Sequence, residues 1–394
     1  MEIIERKKQF KNELLNSCIP FWLNHAIDDV YGGILNCVDR EGKVYSEDKS
    51  VWMQGRCGWM FSYIYNNIDN NPKYLKLAKS CIDFATEYCI DQTDGRMYFT
   101  VTRDGRPLRK RRYWFSETFY IMANAEYYMA TGEEEYLCAA KKYFDFVYGM
   151  YRDPSIDPYK ITPKSFVETR NLKTLANPMI LLNVASIMRD ADNARYDYYN
   201  AIITGLVSDV KAFYKPEYNA MFENVSAKDN EVILDSAPCR VINPGHDIEC
   251  SWFLLEEGIK RGDKEIISFA ETVFNDAFER GWDKEYGGIT YFKDVLGLPV
   301  EAYEHDMKLW WPHNETIIAS LMFYKYTGNE KYKEILDEVC DYAFSHFSDS
   351  EYGEWYGYLR RDGKPTEPPC KGHTYKGPFH VMRMLSKCIK IMED

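Results

Sequence analysis

Three short segments carry side chains that could move protons. In Asn243-Pro244-Gly245-His246-Asp247-Ile248-Glu249, the Asn-Pro-Gly run predicts a turn that opens a helix. His246 and Glu249 then lie one turn apart on the same face. A carboxylate beside an imidazole raises its pKa and fixes its orientation, which suits a general acid or base. The same spacing could ligate a metal, but no further ligands stand at metal-site spacing, so none is expected. In Trp310-Trp311-Pro312-His313-Asn314-Glu315, Pro312 suits the first turn of another helix. Its two indoles could stack on a sugar ring while His313 and Glu315 reach the hydroxyls; the alternative is a Trp pair packing on a neighbouring helix. Gly377-Pro378-Phe379-His380-Val381-Met382-Arg383 predicts a helix from Gly377-Pro378, with His380 and Arg383 one turn apart and His373 in the loop before it. Arg56, in Val51-Trp52-Met53-Gln54-Gly55-Arg56, and Glu117, amid the aromatic residues of Phe115 to Tyr120, read either as substrate ligands or as halves of buried ion pairs.

Other chemistries lack their templates. There is no GxxxxGK[ST] phosphate loop, no GxGxxG after a strand and no GxSxG elbow. Lys and Arg number 49 against 61 Asp and Glu, a net charge of −12, which repels phosphate backbones and argues against nucleic acid. No run approaches 18 consecutive apolar residues, so no transmembrane helix is expected. The 11 cysteines are scattered without a CxxC pair, and Met1 to Lys11 lacks an apolar signal core. The expectation is a cytoplasmic protein with mostly buried thiols. Aromatic residues reach 16%, enough for large helix interfaces and also for stacking on sugars.

The elements that must position these residues show as a repeat. Tyr31-Gly32-Gly33-Ile34, Asp94-Gly95-Arg96-Met97, Tyr218-Asn219-Ala220-Met221, Tyr286-Gly287-Gly288-Ile289 and Tyr352-Gly353-Glu354-Trp355 are copies of one turn. Anchored at 31, 94, 218, 286 and 352, they are separated by 63, 124, 68 and 66 residues. The gap of 124 holds two periods, so a degenerate sixth copy is expected near Asp153-Pro154 and Asp157-Pro158. Each copy reads as a short hairpin with an Asp-Gly turn. Between copies lie helical patterns: Tyr74, Leu77, Ala78, Cys81, Ile82 and Ala85 recur at i, i+3, i+4 and i+7 after Asn71-Pro72. Two more helical patterns end at Thr131-Gly132 and Thr327-Gly328. Self-similar helix pairs stack to share a core. Six can close into an all-α toroid, an (α/α)6 barrel with short β-hairpins in its connecting loops. No linker or low-complexity stretch interrupts residues 1–394, so a single domain is expected.

Taken in order, the segments Trp52–Arg56, Phe115–Tyr120, Ala176–Met179, Gly245–Trp252, Trp310–Glu315 and Lys376–Arg383 resemble the N-acylglucosamine 2-epimerase (renin-binding protein) family over nearly the whole chain. The resemblance implies an (α/α)6 barrel, in agreement with the repeat, and epimerisation at C2 of an open-chain sugar. His246 and His380 match the family's pair of proton-transfer residues. Arg56 and Arg383 match arginines that stabilise charge on O1, and Glu249 would orient His246. Glu315 and Glu117 would contact the sugar or its ligands. His313 departs from the glutamine often found there. Relatives acting on neutral sugars carry a mid-chain histidine in an H-x-x-E segment, where this chain has Leu175 to Ile180. The implied substrate is therefore an amino sugar, N-acetyl-D-glucosamine interconverting with N-acetyl-D-mannosamine, with no cofactor needed for the chemistry. ATP as an allosteric activator and a homodimer are further expectations from the resemblance. Competing readings are a 2-epimerase or isomerase of cellobiose, mannose or glucose, a non-catalytic sugar- or protein-binding barrel, and a glycoside hydrolase on the same barrel.

Overall fold

A computed structural model describes residues 1–110, 113–159 and 166–393. The spacing of apolar residues decides which helices face outward. In α4 (Pro72–Tyr88) the buried side chains are Tyr74, Leu77, Ala78, Cys81, Ile82, Phe84 and Ala85, the predicted stripe plus one ring. Asn71 caps its start by accepting from the Lys73 amide at 3.2 Å. The chain begins with α1 (Ile3–Glu13), which runs through one π-turn into α2 (Ile19–His25). Then come α3 (Val51–Asn67), α4, α5 (Phe115–Thr131), α6 (Glu134–Arg152), α7 (Ala176–Ala191) and α8 (Tyr196–Lys211). They are followed by α9 (Pro244–Arg261), α10 (Lys264–Gly281), α11 (Trp310–Thr327), α12 (Glu330–His346) and α13 (His380–Ile391).

Helices α3, α5, α7, α9, α11 and α13 touch in that order, and α13 returns to α3, closing an inner ring. Each packs on an outer partner: α4, α6, α8, α10, α12 and, for α13, the N-terminal α1. The fold is an (α/α)6 barrel. Its inner helices are buried nearly all round, as α11 is from Trp310 to Phe323, because neighbours cover both flanks. Strand pairs among the described residues are two or three residues long and join the loops. The predicted turns follow the outer helices, bridged at Ile27–Ile34, Ile90–Met97, Trp282–Ile289 and Ser348–Trp355, and paired as Tyr214–Lys215 with Ala220–Met221. The degenerate copy after α6 is a 3-10 turn, Pro154–Ile156, with residues 160–165 outside the described ones.

A repeated ion-pair device ties neighbouring units together. Asp28, Asp283 and Asp349 each accept a backbone amide two residues on and a buried lysine: Lys49, Lys308 and Lys371 respectively. Each also takes an arginine from an adjoining loop: Arg103, Arg361 and Arg40. Burial opposes ionisation, yet the arginine and lysine partners hold all three carboxyls well below the usual carboxylate range. Arg40 to Asp349, at 2.8 Å, joins the first turn to the last and so helps to close the ring. Nine of the 11 cysteines are buried, with Cys370 half-buried and Cys138 exposed. Among the described residues no helix is long and apolar enough to cross a membrane.

Candidate active site

The inner helices direct their first turns toward one cavity of about 660 Å³. Its wall takes Trp52 and Arg56 from α3, Phe115, Phe119 and Met122 from α5, and Ala176, Met179, Ile180 and Asn183 from α7. His246 and Glu249 come from α9, Trp310 and Trp311 from α11, and His380 and Arg383 from α13. The size lies in the ordinary range for small-molecule sites. Helix N-termini carry partial positive charge, so six of them around one space favour a ligand that develops negative charge.

His246 sits in the first turn of α9. Asn243 fixes that turn by accepting from the Gly245 and His246 amides at 3.1 and 3.3 Å. Gly245 leaves room for Trp311: a Cβ there would stand 2.6 Å from the indole. The His246 ring consequently lies 5.1 Å, centroid to centroid, from Trp311. Its Nδ1 meets Glu223 Oε1 at 2.8 Å. Burial alone would favour the neutral ring, but the charge and hydrogen bond of Glu223, helped by Glu249, raise its pKa. The ring is thereby biased toward imidazolium.

His380, the first residue of α13, lies 6.0 Å from the same Trp311 ring and 6.1 Å from Trp310. Its Nδ1 meets Glu315 Oε1 at 2.9 Å. Glu315 is fully buried; it also accepts from Trp252 Nε1 at 2.9 Å and pairs with Arg383 at 2.7 Å. Burial, then the Arg383 and Arg56 guanidinium groups, push the His380 pKa well below its ordinary value. A neutral ring whose Nδ1–H donates to Glu315 leaves its Nε2 lone pair as the basic atom.

Arg383 bridges Glu249 at 2.6 Å and Glu315 at 2.7 Å, so its charge is matched twice. Donor atoms of Glu249, Glu315 and His380 lie within 4.8 Å of one another, close enough for a metal, but the Arg383 guanidinium already bonds both carboxylates. Arg56 differs: among the described residues it has no carboxylate partner. It donates to the Tyr375 carbonyl at 3.2 Å and lies over the Phe119 and Phe379 rings at 4.2 and 4.8 Å. Burial and then Arg383 push its pKa down to about 9.

The cavity thus brings together Arg56, His246, Glu249, Trp310, His380 and Arg383, with Glu315 immediately behind. Several expectations are corrected. Glu117 is buried away from the cavity and holds Arg96 Nε at 2.6 Å and the Met97 amide at 2.8 Å; Arg96 in turn pairs with Asp157. It is a structural ion pair between units. His313 is also buried, with Nδ1 donating to the Leu309 carbonyl at 2.7 Å and Nε2 accepting from the Ile289 amide at 2.9 Å. Both ring nitrogens are committed to backbone, so His313 offers nothing to a sugar. Glu249 shares a helix face with His246 but bonds Arg383; the carboxylate that orients His246 is Glu223, which the sequence reading missed. Its only signal is its position two residues after the turn copy Tyr218 to Met221. The last helix begins at His380 rather than at Gly377-Pro378.

Six helix pairs surround a cavity that holds two carboxylate-anchored histidines and an arginine with no carboxylate ion pair among the described residues, an arrangement that suits a carbohydrate epimerase. The chain belongs to the N-acylglucosamine 2-epimerase (GlcNAc 2-epimerase) family, whose sequence model matches residues 32–382. It is 36% identical over 384 residues to N-acylglucosamine 2-epimerase of Bos taurus, covering 96% of this chain and 90% of that one. With the Homo sapiens enzyme of the same name it shares 34% over 395 residues, covering 99% and 91%. Similarity to the cellobiose 2-epimerase of Eubacterium cellulosolvens is lower, at 24% over 402 residues, covering 97% of each. The solved cellobiose 2-epimerase from Bacillus thermoamylovorans shares the fold, with a TM-score of 0.84 at 22% identity over 99% of both chains.

Proposed function

We propose that the protein interconverts N-acetyl-D-mannosamine and N-acetyl-D-glucosamine by moving a proton at C2 of the open-chain sugar. The observation that carries the mechanism is the pair of histidines beside one indole, each anchored at Nδ1 by a glutamate and biased to opposite protonation states. The substrate assignment is supported by the mammalian relatives of that name. In the open-chain aldehyde the C2–H bond is acidified by the adjacent carbonyl. His380 Nε2 takes the C2 proton, and the electron pair moves onto O1 as an enolate. Arg56, which is ion-paired to no carboxylate among the described residues, stabilises that oxygen together with the surrounding helix N-termini. The His246 imidazolium returns a proton to C2 from the other face, inverting the centre. The turnover leaves His380 protonated and His246 neutral, the state suited to the opposite direction. Trp310 and Trp311 offer flat faces against the sugar chain.

Proton NMR of the purified protein with N-acetyl-D-mannosamine in deuterium oxide tests this, with ATP added to a second tube to test activation. N-acetyl-D-glucosamine carrying deuterium at C2 is the expected product. If C2 neither inverts nor exchanges while cellobiose or mannose is converted, the N-acetyl assignment is wrong.

A further inference from the structure

Ionisable side chains are unevenly spread around the cavity. Arg56, His246, Glu249, His380 and Arg383 come from α3, α9 and α13, and Glu304 comes from a loop. Helices α5 and α7 contribute no ionisable group. Their wall is Phe119, Met122, Ala176, Met179 and Ile180, with one polar side chain, Asn183. In the ring order, α7 stands across from α13 and α5 across from α11, so this wall faces His380 and the two indoles. Asn183 is half-buried and makes no side-chain hydrogen bond among the described residues, although it lines the cavity. A carboxamide on a closely packed inner helix, amid methionine, isoleucine and phenylalanine, is poorly served by its own protein.

The proposed chemistry fixes what can lie there. At the planar enolate, the histidines hold the two faces of C2 and Arg56 draws O1 toward α3. Two substituents of C2 are left to place: the polyhydroxyl chain beyond C3 and the group on C2 itself. The connecting segments that line the cavity offer Tyr291, Tyr358, Tyr375 and Glu304, all able to bond hydroxyls. The opposite wall offers apolar side chains and one amide. An acetamido group has that composition: a methyl for the methionines and isoleucine, and an N–H and C=O that a carboxamide can match as acceptor and donor. Thioether side chains also adapt to the outline of a small methyl.

We propose that the α5–α7 wall is the acetamido pocket and that Asn183 is its specificity-determining residue. The inference rests on the N-acetyl reading above and adds which residues recognise the acyl group. The test compares wild type with Asn183→Leu, similar in volume but unable to hydrogen-bond, on N-acetyl-D-mannosamine. The variant is expected to lose roughly tenfold to a hundredfold in kcat/KM, mostly through KM, because the amide is left unpaired on binding. Its pH profile should stay unchanged, since the residue takes no part in proton transfer. A variant within twofold of wild type in KM overturns the assignment of Asn183 while leaving the N-acetyl reading intact. A wild type inactive on the N-acetyl sugar overturns both. Saturation-transfer NMR of the wild type is a second test that does not depend on the variant folding. The acetyl methyl should receive the strongest saturation of any sugar proton, and a methyl among the weakest overturns the pocket.

Discussion

His246 and His380 look alike at first contact: each offers Nδ1 to a glutamate oxygen, at 2.8 and 2.9 Å. Their pKa values nevertheless move in opposite directions. Burial lowers both, so the difference comes from the charges around them. Glu223 acts on His246 through its charge and its hydrogen bond, and Glu249 adds to its field. Glu315 is shared between His380, Arg383 and Trp252, and two guanidinium groups act on the His380 ring. An anchoring carboxylate therefore orients an imidazole but does not by itself decide its charge, because burial and neighbouring guanidinium groups can outweigh it. The surrounding balance does that, and here it biases one histidine toward the neutral ring and the other toward imidazolium.

The strongest way to break this comparison is at Glu315. In Glu315→Gln an amide replaces a carboxylate whose one oxygen accepts from Trp252 Nε1 and whose other faces both His380 Nδ1 and the Arg383 guanidinium, so in either orientation its NH2 meets an N–H donor. Either orientation disrupts the set of bonds that anchors His380 and leaves Arg383 with Glu249 as its carboxylate partner. We expect kcat to fall by roughly 10²- to 10⁴-fold with the fold intact by circular dichroism. A smaller change sharpens the other half. Glu223→Gln removes the group that raises the His246 pKa, so the imidazolium is lost at a lower pH. The decline of kcat/KM toward alkaline pH should shift to lower pH, making the defect larger at pH 8 than at pH 6, as initial rates in the direction that uses His246 as acid would show.

The smallest expected effect concerns His313, a histidine outside the pair. Its folded pKa is lowered to about 3, by burial above all, against about 6.5 in an unfolded chain. The unfolded state binds the extra proton between those values, so stability rises with pH through that window and is lost as pH falls below about 6.5. His313→Gln should flatten this slope, at most about 1.4 kcal/mol per pH unit, and leave epimerisation within twofold. Urea midpoints at pH 7 and pH 5 measure it.

Much of this arrangement was legible in the residues. The apolar spacing of α4, its Asn71-Pro72 start and the glycines that end α5 and α11 are local signals, and the structure follows them. His246 and His380 were legible because each stands in the opening turn of an inner helix beside Pro and Gly turn residues, and Arg56 through the family resemblance of Trp52 to Arg56. Glu117 and His313 were misplaced for one physical reason: aromatic company looks the same at a cavity rim and in a core. What separates them is the partner, and Arg96 lies 21 residues from Glu117, in a turn that only folding brings near. Glu223 was missed in the same way, reaching α9 from a loop 23 residues earlier. The pairing of α1 with α13 was equally invisible, because a repeat count says how many units exist and not how the ends close.

The central claim is that His246 and His380 serve opposite faces of C2, and hydrogen exchange in deuterium oxide tests it most directly. His246→Asn and His380→Asn should both lose net epimerisation. Each should still exchange the C2 proton of one epimer, the one its remaining histidine can deprotonate, and the two variants should exchange different epimers. If both variants exchange the same epimer, or if either still interconverts the sugars at the wild-type rate, the two-histidine account is contradicted.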